Sequence, residues 1–301
     1  MRNPFEKAKT WWVRYSDYQW RTTKDGVLYI QPAPGATFTL YNAMEVMEQL
    51  VLDALNAGRK LMGKEPKEDS KPIIMDFVRK YGLLGMMTAL PTTPKFMDYE
   101  MVYLPKNRFI KEEQLHTEQF LLNFFPFEKP HLMKSGKSYA WSVSGDNRLM
   151  ALSATFSDYP LAVTLSFMPE YAERFDWIVT QLKDWMFLVT TCEFFYDPDY
   201  QLMANAEEQR TLLRQAMNAF SGNAPTYRIT LFDDAPALVW DFHSLMLAIT
   251  LVFSFMLTDT DNPIHMCKNC GKVFIAEKQD SLFCSAECKS QYRAQKKEEK
   301  K

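Results

Sequence analysis

Four of the five cysteines in this 301-residue chain lie within its last 35 residues, as Cys267-x2-Cys270 and, after thirteen residues, Cys284-x3-Cys288. Zinc favours four thiolates in a tetrahedron, and cysteines two or three residues apart let each half of a site chelate from one tight turn or one helical turn. The spacing predicts one Zn2+ held by Cys267, Cys270, Cys284 and Cys288. Four protein ligands leave no open position for water, so such a metal is structural rather than catalytic. The competing reading is a set of free cysteines, which seldom fall by chance into two short-spaced pairs. His265 could replace a cysteine but is redundant, and Cys192, alone in "VTTCEFF", reads as a buried core thiol.

The residues between the pairs supply the elements that must position them. Val273-Phe274-Ile275 and Leu282-Phe283 read as two short strands around the polar "EKQDS", and Ser285 can cap a helix carrying Cys288. Knuckle, hairpin and helix is a treble-clef order. That last helix also gathers charge: at about 100° per residue, Lys289, Arg293, Lys296, Lys297, Lys300 and Lys301 fall within an arc of about 140°. Cys288 and Tyr292 lie on the other side, towards the expected metal. A cationic stripe turned away from the metal suits a phosphate backbone, so Lys289, Arg293, Lys296, Lys297 and Lys300 are the candidate nucleic-acid contacts. The plain alternative is a solvated, lysine-rich tail, and the single Arg weakens the case for base readout.

"CKNCGKVFI…LFCSAECKSQYRAQKK", with the apolar helix before it, resembles the treble-clef fingers that end many bacterial proteins, including the CGNR zinc-finger family. The resemblance implies a finger behind a larger N-terminal domain, nucleic-acid binding, and a role in transcription regulation. Lys289-Ser290-Gln291 stands where that family carries Gly-Asn-Arg.

The rest of the chain reads as an α+β fold, helix-rich with a small N-terminal sheet, followed by the finger. "WWVRYSDYQWRTTKDGVLYIQ" gives two β-leaning runs about a Lys24-Asp25-Gly26 turn. Its aromatic residues Trp11, Trp12, Tyr15, Tyr18 and Trp20 form either the buried face of that sheet or a ligand pocket; near-alternating spacing favours the core. Helical periodicity marks a helix from about Asn42, one opening at Ser70 and Pro72, one in "KEEQLHTEQFLLNFF", and two over about 169–195 and 206–220. "MDYEMVYL" and "YRITLF" read as strands. The polar "TDTDNPIH" marks the boundary, giving a mixed domain at 1–258, a linker at 259–265 and the finger at 266–301.

Two function classes lose ground. "FHSLMLAITLVFSFML" is short for a membrane span and has aspartates on both sides, so it reads as a core helix and no membrane is expected. Gly-rich phosphate loops, His-Glu-x-x-His and Gly-x-Ser-x-Gly are all missing from the sequence. No catalytic residue is assigned: Glu112 and His116 read as a surface pair on a helix, and Asp197 and Asp199 as turn residues. The N-terminus has no apolar segment behind its charges, so a cytoplasmic, bacterial-type protein is expected. Net charge is −2, yet residues 265–301 carry nine Lys/Arg against five Asp/Glu, so basic character is local. The expected partner is nucleic acid. The alternatives are a protein partner docked by a purely structural finger and, with least support, an enzyme in the N-terminal domain.

Overall fold

The computed structural model describes residues 10–63, 67–86, 101–103, 109–112, 114–130, 132–135, 138–141, 147–156, 159–196, 205–218, 220, 222, 225–232, 235–242, 244–278 and 280–298. It is mixed α and β, with small antiparallel sheets among the helices. No helix among the described residues is long and apolar enough to cross a membrane. The chain divides into two compact units: residues 1–46, 75–178 and 223–248 make the first, and residues 47–74, 179–222 and 249–301 the second.

In the first unit the N-terminal aromatic run forms strands, as its β-branched and aromatic content requires. Trp11–Tyr15 pairs with Phe38–Asn42, and Tyr18–Thr22 pairs with Leu28–Pro32 across a turn at Gly26, whose φ is +85°. Glu173–Arg174 adds to the free edge of Leu28–Pro32. Trp12, Tyr15 and Tyr18 are buried, Trp20 packs edge-on against Phe175 with ring centroids 5.6 Å apart, and the Trp12 indole donates to the Leu83 carbonyl at 2.9 Å. Trp12, Tyr15 and Tyr18 are therefore core, while Trp11 and Trp20 are half-buried.

The loop Gly82–Met86 is fixed from both sides. Gly82 ends the helix Lys67–Tyr81 with φ +90°, its N–H on the Val78 carbonyl at 2.7 Å, and a Cβ there would sit 2.3 Å from the Val13 carbonyl oxygen. The next amides converge on one carboxylate: Glu173, 1% exposed, accepts from Leu84 N at 2.9 Å, from Met86 N at 3.0 Å, from Gly85 N, and from the Tyr171 hydroxyl at 2.5 Å. Burial pushes the Glu173 carboxyl above the usual range, and these four donors pull it back.

The second unit holds the helix Met47–Leu61, with Leu50, Val51, Ala54, Leu55 and Leu61 buried at helical spacing, as periodicity requires. Gly58 lets this helix approach another closely: a Cβ there would lie 2.1 Å from the Leu182 carbonyl oxygen in Phe175–Tyr196. Residues 249–258 continue the apolar helix Leu245–Thr258, where Ile249 and Phe253 are buried and Phe255 is exposed.

Several sequence expectations change in detail. The second helix begins at Lys67, so Pro72 lies inside it and Ser70 does not open it. Only Thr117–Phe124 of "KEEQLHTEQFLLNFF" is helical. Gln114–His116 instead pairs with Met101–Tyr103, because two short strands can satisfy each other's backbone. The helix expected from 169 starts at Phe175, since residues 173–174 are taken by the sheet.

Glu173→Ala leaves three backbone N–H groups and a hydroxyl without their acceptor. Each buried group so stranded costs about 1–3 kcal/mol, so unfolding free energy should fall by about 3 kcal/mol or more in denaturant titration. Glu173→Gln, which keeps one acceptor oxygen, should lose less.

Candidate metal centre

The cysteine segment is built around a short hairpin. Ile264–Met266 pairs antiparallel with Val273–Ile275, with Met266 opposite Val273, and the connection carries the first two cysteines. The Cys267 N–H reaches the Lys272 carbonyl at 2.9 Å and the Gly271 N–H returns to the Cys267 carbonyl at 2.8 Å. Gly271 sits at φ +67°, a conformation that favours glycine. The expected partnering of Val273–Ile275 with Leu282–Phe283 is not found among the described residues: the strand pairs with Ile264–Met266, which straddles the boundary between the stretch read as a linker and the finger. Leu282 contributes one bond, its carbonyl accepting from Lys268 N at 2.9 Å.

The second cysteine pair enters on a helix start. The Ser285 hydroxyl accepts the Cys288 N–H at 3.1 Å and caps the helix Ala286–Glu298 as its side-chain chemistry predicts. Asn269 in the knuckle donates to Gln291 in the helix at 2.9 Å, and the Phe283 and Tyr292 rings stand 5.2 Å apart.

These elements bring the four cysteines together. Their sulfurs all lie within 4.8 Å of one another, with Cys270 to Cys284 at 3.7 Å and Cys284 to Cys288 at 3.6 Å. A disulfide needs about 2.05 Å, and all five cysteines are free thiols. A tetrahedral ion with metal–sulfur bonds of about 2.3 Å, by contrast, sets its sulfurs about 3.8 Å apart. The donor set and its spacing fit one metal ion. The electrostatics point the same way. Burial acts to raise the Cys267 thiol, but the amides of Cys270, Cys284 and Asn269 bring it down to about 6. Burial and then the neighbouring Cys288, Cys267 and Cys270 sulfurs push Cys284 up to about 12, a cost that a cation at the centre removes.

Two residues with no motif or spacing to mark them hold the hairpin. Asn56, on the helix Met47–Leu61, pairs with the backbone of Val273 in both directions: its Oδ1 accepts the N–H at 2.9 Å and its Nδ2 donates to the carbonyl at 3.1 Å. Glu193, on Phe175–Tyr196, accepts the Met266 N–H at 3.0 Å and stands 2.8 Å from His265 Nδ1. A carboxamide and a carboxylate thus serve the backbone of the two facing residues, much as further strands would. His265 is thereby committed to Glu193 and is not among the clustered ligands. Cys192 is separate as well, its thiol raised to about 11 by burial and by Glu193.

On the helix Ala286–Glu298, Lys289, Arg293, Lys296 and Lys297 are all exposed. Among the described residues, Lys289, Arg293 and Lys297 enter no ion pair. Lys296 lies at the edge of the stripe, its Nζ 5.2 Å from the Tyr292 ring centre. Lys300 lies outside the described residues, as do Asp197 and Asp199. Glu112 and His116 do not share a helix: His116 ends a strand, and Glu112 precedes it in an irregular segment. No family model, no curated protein and no solved structure matches this chain.

Asn56→Ala removes both bonds to Val273 and should lower stability by about 2 kcal/mol in thermal or denaturant unfolding. Asn56→Asp, which keeps an acceptor for the Val273 N–H but sets a carboxylate oxygen against the Val273 and Leu52 carbonyls, should lose at least as much.

Proposed function

We propose that this protein is a zinc-finger nucleic-acid-binding protein, most simply a transcription regulator of a bacterial cytoplasm. In this reading Cys267, Cys270, Cys284 and Cys288 hold one structural Zn2+ in a treble-clef finger. A reducing compartment keeps the four thiols available to the metal. The ion fixes the helix Ala286–Glu298, and the helix offers its outer face to phosphates. The observation that carries the reading is this outer face. Lys289, Arg293 and Lys297 are exposed, have no acidic partner among the described residues, and recur at spacings of four on the side away from Cys288. Charge presented without a local counter-ion favours an external polyanion.

A second reading is favoured by Asn56 and Glu193, which commit the hairpin backbone to internal contacts. There the finger is structural and the protein docks another protein.

Protein purified without chelator should contain one zinc per chain by elemental analysis. Cys284→Ser should release it and raise amide exchange across residues 264–298, because a segment of this size has too little core to order itself without metal.

Wild-type protein should bind duplex DNA or RNA at low salt, with affinity falling steeply as salt rises. Reversing Arg293 and Lys297 to Glu should weaken binding and flatten the slope of log affinity against log salt by about 2, since each phosphate contact releases roughly one counter-ion. Zinc content should be unchanged in the variant. No binding by wild-type protein at low salt leaves the docking reading in place.

A further inference from the structure

The strands Thr226–Phe232 and Ala235–Asp241 form a two-stranded antiparallel sheet in which Tyr227 faces Trp240, Ile229 faces Leu238 and Leu231 faces Pro236. Residues directly opposite share a face, and so do alternate residues along a strand. All six therefore line one side of the ribbon, and none is charged. That side is in water: Tyr227 is 70% exposed, Ile229 76%, Leu231 65% and Leu238 38%. On the opposite side Val239 is buried and stands across from Arg228, so the ribbon turns its uncharged face to water, the reverse of apolar in and polar out. Tyr227 and Trp240 pack edge to face at 5.9 Å, which gives the exposed side an ordered aromatic end. Among the described residues, the ribbon pairs with no third strand.

We propose that this face is the interface of a homodimer, covered by the same face of a second copy of the chain. Area is the first argument. At roughly 200 Å² for a large apolar residue, the four exposed side chains leave about 500 Å² of apolar surface in water. A stable interface takes about 800 Å² from each partner, so these four supply more than half of one share, and Pro236 and Trp240 continue the same face. Charge is the second. A two-fold contact lays each residue near its own copy, where like charges repel; six uncharged side chains carry no such cost. They also offer nothing to a polyanion, which separates this surface from the basic helix. Two such ribbons packed face to face make a small sandwich, its sheets about 10 Å apart. The pairing does not rest on the nucleic-acid reading, because no residue of the ribbon belongs to the finger.

Sedimentation velocity on the full-length, zinc-loaded protein tests this over a range of concentrations, with amide exchange of residues 226–241 followed alongside. A dimer is expected, with protection of those residues rising as it forms. Ile229→Glu should weaken it at least 100-fold, about 2.7 kcal/mol, because two copies of the substitution enter each dimer. Leu122→Glu, at a position 64% exposed on the helix Thr117–Phe124, should leave it intact. Exchange in the wild-type chain needs no variant, so misfolding of Ile229→Glu cannot rescue the proposal. A monomer at every concentration overturns it, as does a dimer that forms with no change in protection of 226–241. Protection gained by a monomer only on adding phosphatidylcholine vesicles overturns it too, and assigns the face to lipid.

Discussion

Four sulfurs within 4.8 Å of one another set the constraint on which the C-terminal segment depends. Thiolates at such spacing repel, and thiols give little in return, so the arrangement is favourable only around a cation. The helix Ala286–Glu298 has no buried residue, and hydrophobic burial therefore does not place it. Its anchors are Cys288 in the cluster, the Ser285 cap, the Asn269–Gln291 hydrogen bond and the Phe283–Tyr292 contact. Of these the sulfurs alone can draw on metal binding, whose free energy in structural sites is also folding free energy.

The hairpin carrying the first two ligands has a different support. A ribbon of two three-residue strands is not stable in water by itself. Here its backbone is served by Asn56 and Glu193, while Val273, Ile264 and Cys267 are buried. Gly58 belongs to the same device. By omitting a Cβ it permits the close packing of Met47–Leu61 on Phe175–Tyr196, the two helices that carry Asn56 and Glu193. One small residue sets the spacing from which two polar side chains reach one ribbon.

The first unit solves a related problem with Glu173. The loop Gly82–Met86 has no strand or helix to take its amides, and burial forbids leaving them bare. A buried carboxylate on a short strand takes three of them at once and the Tyr171 hydroxyl with them. In both units a polar side chain from one element supplies partners to the backbone of another, a loop in the first and a short hairpin in the second, which is how small sheets keep buried backbone paired.

What the sequence determined by itself was local. Cysteines two and three residues apart, a serine three residues before Cys288, the Gly26 turn and the long apolar periodicities each act over a few residues, so reading along the chain found them. Spacing along Ala286–Glu298 likewise decided which lysines share a face. Pairing was where that reading stopped. Val273–Ile275 was legible as a strand, but Leu282–Phe283 and Ile264–Met266 both lean to β structure. Both alternatives close loops of about the same length, and the backbone bonds of the Cys267–Gly271 turn, Cys267 N–H to the Lys272 carbonyl and Gly271 N–H to the Cys267 carbonyl, select Ile264–Met266. Asn56 carries no mark of its role, because its partner Val273 lies 217 residues away, and Glu193 reaches Met266 across 73. Glu173 likewise stands 87 to 89 residues from the amides it collects. A polar side chain's energy depends on which donors and acceptors surround it once water is removed, and only the tertiary structure decides that.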